Sequence, residues 1–187
     1  MKKFKLTSEF IVDISGVKLF RIKALIEFGN VKAGDLGGYI EKEENLSHMG
    51  NAWVSGNARV FGNAWVSGNA RVSGNAWVFG NAWVSGNARV SGDAQVFGDA
   101  RVSGNAQVFG DARVSGDKDY AYAHGFGSCN RTTTFFRLKD GDVGVRCGCF
   151  YGTLAQFRDN VCETHGETKK AQEYLMLADL MDFRFKN

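Results

Sequence analysis

The 187-residue chain contains no proline and no apolar run long enough to span a bilayer. Its basic start, MKKFKLTSEF, lacks the following apolar stretch and cleavage site of a secretory signal. Cytoplasmic location is therefore the expectation, with no membrane partner. In that setting the four cysteines are expected as reduced thiols rather than disulfides. Charge asymmetry is also missing. The 23 basic and 20 acidic residues are spread through the whole chain. A nucleic-acid footprint would concentrate Lys and Arg on one face, so direct nucleic-acid binding is not expected. Histidine is scarce, limited to His48, His124 and His165.

Glycine, by contrast, is abundant at 24 residues, and it is periodic, which signals corners rather than disorder. From Gly50 to Ser115 the chain reads GNAWVS GNARVF GNAWVS GNARVS GNAWVF GNAWVS GNARVS GDAQVF GDARVS GNAQVF GDARVS, without a gap. Self-similarity at a short fixed period decides the architecture before any other signal. Ala and Val lie two apart in each unit, so they share one side of an extended strand while the residues flanking Val face the other. Gly-Asn and Gly-Asp tolerate positive φ and make corners. A short strand and a corner, repeated, coil into a parallel β-helix lined by Val and Ala.

The pairing of Val54 with Ala58, and of Val60 with Ala64, resembles the hexapeptide-repeat left-handed β-helix family. That resemblance implies three hexapeptides per triangular coil, so that residues 18 apart stack. It also implies association through the helix faces, as a dimer or trimer. The lead-in GDLGGYIEKEENLS and the later segment GCFYGTLAQF resemble small repeat proteins encoded by bacteriophages and prophages. The expected fold is mainly β: an N-terminal β cap over 1–34, a β-helix over 35–126 with the perfect array at 50–115, and a C-terminal hairpin with two helices over 127–187.

Stacking at 18 residues sorts the outward positions into columns. Phe61, Phe79 and Phe97 form an aromatic ladder, with Trp77 beside it between Arg59 and Gln95. A second face carries Trp65, Trp83 and Arg101, and a third carries Trp53, Arg71, Arg89 and Gln107. Contiguous exposed aromatics mark interfaces, where Trp, Phe and Arg are enriched. One aromatic face could be covered by a terminal segment of the same chain. At the corners, Asn51, Asn69, Asn87 and Asn105 should stack and hydrogen-bond. Asp93 over Asp111, and Asp99 over Asp117, are expected as solvated carboxylates in preference to a calcium site.

Toward the N-terminus, Phe10 to Ile14 and Val17 to Ile22 read as a hairpin about Ser15-Gly16. Ile40 and Leu46 keep the six-residue spacing but Val54 lies eight beyond Leu46, which reads as a first coil with a two-residue insertion. After the array, Tyr120 and Phe126 keep the spacing from Val114, while Lys118 and His124 replace Ala, so a last imperfect coil is expected. Thr132 to Leu138 and Val143 to Phe150 read as a hairpin across Asp140-Gly141. Thr153 to Gln156 has capping-box spacing, followed by the stripe Leu154, Phe157, Val161 and a final helix from Lys169 to Phe183. Cys147, Cys149, Cys162 and His165 are weak metal candidates, because Cys147 and Cys149 would share a strand face and Cys162 would lie mid-helix.

No cofactor is expected and no enzyme is favoured. A hexapeptide-repeat acyltransferase needs a histidine by a coil, and the array contains none. A β-helical carbonic anhydrase would need three zinc-binding histidines, and these three are scattered. An ice-binding face would carry Thr ladders. The resulting expectation is a non-catalytic rod that binds a protein, and the phage-like resemblance implies an inhibitor of a bacterial antiviral defence such as CRISPR–Cas. A self-assembling scaffold and an acyltransferase are the alternatives.

Overall fold

A computed structural model describes residues 1–186. Three strands precede the array: β1 (Phe4–Val12), β2 (Lys18–Ala24) and β3 (Leu36–Ile40). Eleven two-residue strands follow, one per hexapeptide, from β4 (Trp53–Val54) to β14 (Arg113–Val114). The chain ends with β15 (Tyr120–Phe126), β16 (Arg131–Arg137), β17 (Val143–Cys147), β18 (Phe150–Thr153), α1 (Leu154–His165) and α2 (Lys169–Phe185). The molecule is mainly β, and its centre is a parallel β-solenoid.

The 18-residue stack is visible in the strand pairing. Val60, Val78, Val96 and Val114 lie over one another on the first face, Val66, Val84 and Val102 on the second, and Val54, Val72, Val90 and Val108 on the third. All these valines and the array's alanines are buried. Each buried valine contributes about 1.5–3 kcal/mol of transfer free energy. Every repeat glycine has φ between +62° and +75°. At Gly86 a Cβ would also meet the backbone nitrogen of Gly104 at 2.9 Å, so the corner excludes a side chain twice over. The two-residue insertion is present: Ile40 pairs with Val60 and Leu46 with Val66.

Hydrogen bonds along the solenoid run one way. Trp53 N donates to Ala70 O at 3.0 Å and Ser55 N to Val72 O at 2.9 Å, and the later coils repeat this. The first coil is therefore left with carbonyls and the last with N–H groups, each costly if buried unpaired. At the first end Tyr39 N, Glu41 N and Ser47 N bond to Ala58, Val60 and Val66 carbonyls. Two side chains supply further donors. Asn45 Nδ2 reaches Ala64 O at 2.8 Å and Gly62 O at 3.1 Å, and Lys3 Nζ reaches Ala52 O at 2.8 Å and Gly50 O at 3.3 Å. At the other end acceptors appear instead: Thr134 Oγ1 takes Gln107 N and Asp117 Oδ1 takes Arg101 N, both at 2.9 Å.

Apolar plugs accompany these caps. Phe4, Ile22, Ala24 and Val31 close the first end, and Tyr120 and Phe136 the last. The first-face sheet continues through β3, β2 and β1, so the N-terminal hairpin extends the solenoid edge. The coil expected over 116–126 does not form. Tyr120–Phe126 is instead one continuous strand, antiparallel to β16 in the sheet β15-β16-β17-β18. A coil needs a small residue at its inner corner, and Lys118 and His124 are exposed where Ala would be enclosed. The capping box at Thr153 and Gln156 is present, and α1 and α2 pack on the terminal sheet through Leu154, Phe157, Val161, Tyr174, Ala178 and Met181.

Burial lowers the pKa of Lys3 from its ordinary 10.5 to about 8. Between those values the unfolded chain holds a proton that the folded chain releases, so this site adds stability as pH rises from about 8 toward 10.5. Lys3→Met should remove that rise and cost about 1–3 kcal/mol at neutral pH by leaving two carbonyls unpaired. Urea unfolding at several pH values measures both effects.

Candidate functional site

Phe61, Phe79 and Phe97 stack almost parallel, with centroids 5.1 and 5.2 Å apart and planes within 3° and 7° of each other. Each ring shields the next, and all three are half-buried. Trp77 is also half-buried, edge-on to Phe61 at 6.2 Å and beneath the Arg59 guanidinium at 4.9 Å. The first-face aromatics thus line a self-covered corner.

The third face departs from the sequence expectation. Trp53 is only 4% exposed, because the loop at Phe28–Val31 folds back over it and places Phe28 edge-on at 5.4 Å. Trp53 is therefore core and is closed to a partner. At the far end Phe109 is covered by Tyr151 at 5.1 Å and by the Arg146 guanidinium at 5.0 Å. Between these covers Arg71 and Arg89 stand on adjacent rungs.

The second face stays open. Trp65 is 38% and Trp83 46% exposed, and they are the exposed large apolar side chains of the array. Their rings meet at 5.3 Å and 83°, an edge-to-face arrangement, and the Arg101 guanidinium lies 5.4 Å from Trp83. Indoles braced against each other and against a cation present large contact area with little freedom to lose on binding. Residues 52–68, 66–80, 70–86, 82–96 and 94–108 match the YdcK beta solenoid repeat. The rod is similar to a YdcK β-solenoid. This match covers less than half of the chain and concerns the repeat architecture alone. No curated protein matches the chain.

Outside the YdcK-like array, the metal candidates separate. Gly148, with φ +58°, turns the chain between β17 and β18, so Cys147 and Cys149 do not share a strand face. Cys147 is held near Thr133 Oγ1 at 3.2 Å and Tyr174 Oη at 3.7 Å, and burial raises the Tyr174 phenol pKa. Cys147, Cys149 and His165 border one cavity of about 260 Å³, whereas Cys162 is exposed on α1. Among the described residues no three His, Cys, Asp or Glu side chains gather around a common metal position. His48 is built into the N-terminal cap: it stacks on Phe4 at 4.3 Å and its Nδ1 accepts from Lys3 N at 3.2 Å. His124 is tied to Thr132 Oγ1 at 2.9 Å.

One exposed feature was missed from sequence. Met176, Leu180 and Phe183 lie at helical spacing on α2 and are 71%, 55% and 72% exposed. The i, i+4, i+7 pattern was readable, but the opposite stripe of Tyr174, Ala178 and Met181 drew the packing assignment.

Because Phe79 is stacked on both sides and Phe97 on one, Phe79→Ala should cost about 2–3 kcal/mol and Phe97→Ala distinctly less. Denaturant midpoints at unchanged slope would establish the order.

Proposed function

We propose that the protein is a non-catalytic binding rod that docks a protein partner on its Trp65–Trp83–Arg101 face. The observation that carries this reading is selective exposure. The protein shields Trp53 and Phe109 with its own segments, while leaving two mutually braced indoles and an arginine in solvent. A surface of that chemistry suits a partner with an apolar pocket and a carboxylate for Arg101. The resemblance of the lead-in and the GCFYGTLAQF segment to phage-encoded repeat proteins supports a narrower form of the proposal. In that form the partner is a bacterial antiviral effector, such as a CRISPR–Cas component, occluded sterically by a rigid rod. A cytoplasmic setting goes with that form. No helix of the described residues is long and apolar enough to cross a membrane. The non-enzymatic character is supported by the array itself, whose units carry no histidine, cysteine or excursion loop.

A second copy of the chain is the competing occupant of the same face, because two such faces could pack as a dimer or trimer. Trp65→Ala with Trp83→Ala should weaken partner capture from a bacterial lysate at least about thirtyfold, given the usual cost of removing a buried interface tryptophan. Light scattering on the same pair of proteins reports self-association. Loss of capture at constant mass supports the binder, and loss of an oligomer without any captured protein supports self-assembly. Unchanged capture and unchanged mass would exclude this face.

A further inference from the structure

Three chains of hydrogen-bonded side-chain amides run along the corners of the solenoid, each Nδ2 donating to the Oδ1 of the residue 18 further on. Two of them end on a carboxylate. Asn57 donates to Asn75 at 3.3 Å and Asn75 to Asp93 at 3.0 Å. Asn63 donates to Asn81 at 3.2 Å and Asn81 to Asp99 at 2.9 Å. The paired carboxylates expected from sequence are thus also ladder terminators. The third chain is different. Asn51, Asn69, Asn87 and Asn105 follow one another at 3.1, 3.1 and 3.0 Å, and beyond Asn105 the coils give way to β15, so no further rung stacks on it. This ladder finishes on a donor with no acceptor side chain ahead of it.

The surroundings of that end are cationic. Arg89, Gln107, His124, Arg131 and Thr132 line, with Asn105, a cleft of about 340 Å³ that no carboxylate borders. Arg71 stands one rung below Arg89, so two guanidinium groups share adjacent rungs, which is unfavourable without an intervening anion. Arg71, Arg89 and Arg131 form no ion pair among the described residues. Arg131 is exposed, and its Nη1 passes close over Gly148, where a Cβ would lie 2.2 Å away. The His124 ring is oriented by its 2.9 Å contact with Thr132 Oγ1.

We infer that this corner binds a phosphate-class oxyanion, seated between Arg89 and Arg131 as the missing terminal acceptor of the Asn105 ladder. The tetrahedral anion accepts from the Asn105 amide and from both guanidinium groups, whose forked donors suit it. Its charge also offsets the repulsion that Arg89 receives from Arg71 on the neighbouring rung. This site is independent of the tryptophan face and of whatever docks there.

The test titrates the full chain with inorganic phosphate by calorimetry, against sodium chloride at matched ionic strength and against acetate. Phosphate stabilises proteins in general by exclusion from their surface, so the readout is saturable binding and its difference between variants. Arg89→Gln with Arg131→Gln should weaken phosphate at least about tenfold, as loss of charge-assisted hydrogen bonds requires. Asn105→Asp should do the same while raising the melting temperature without phosphate, since it ends the ladder as Asp93 and Asp99 end theirs. Should circular dichroism show the double arginine variant misfolded, the near-isosteric Asn105→Asp variant decides. Absence of saturable phosphate binding, equal binding by wild type and Asn105→Asp, or tighter binding of acetate than of phosphate would each overturn the assignment.

Discussion

A hydrogen-bond ladder of fixed direction governs this molecule. Each coil gives its N–H groups to the carbonyls of the next, as Trp53 gives to Ala70 and Arg71 to Ala88. A stack built this way has two chemically different ends, one all acceptors and one all donors. The flanking segments answer that difference. Lys3 and Asn45 bring donors to the carbonyl end, and Thr134 and Asp117 bring acceptors to the amide end. Exchanging the two sets would leave both ends unpaired. The buried Lys3 is the extreme case: the need for a donor deep in the cap outweighs the cost of desolvating an ammonium, and its pKa falls accordingly.

The same direction runs through the side chains. The corner asparagines repeat the backbone's sense, each amide pointing toward the later coil, and two of the three ladders close on aspartate. A repeat so regular leaves few positions free to vary, so departures from it carry the information. Asn105 in place of a carboxylate, Trp53 under Phe28, and Trp65 with Trp83 in solvent are such departures. The YdcK-like rod supplies rigidity, and the flanking segments determine which of its columns reach solvent.

Legibility from sequence followed the range of the interactions. The Val and Ala core, the parallel Phe column and the Asn51 ladder were all readable, because each is a relation between residues 18 apart along a regular coil. The helix start at Thr153 was readable because a capping box is local. The strand Tyr120–Phe126 was misread as a coil, since six-residue spacing of aromatics also fits a straight strand once the inner alanine is lost. The turn at Gly148 was missed, and with it the separation of Cys147 from Cys149, because a two-residue reversal leaves no periodic mark.

The sequence by itself determined the solenoid: its period, its inner wall, its corners and the identity of every outward column. Those follow from alternation and glycine stereochemistry, which act within a few residues, and from their repetition. Only the tertiary structure decided which columns are covered. Phe28 reaches Trp53, and Tyr151 reaches Phe109, through folding back of non-repetitive segments whose docking is set by shape and burial at the coil ends. Contacts of that kind have no period. They left the Trp65–Trp83 face open and gave the Asn105 corner its arginine from β16, which the hexapeptide pattern alone does not contain.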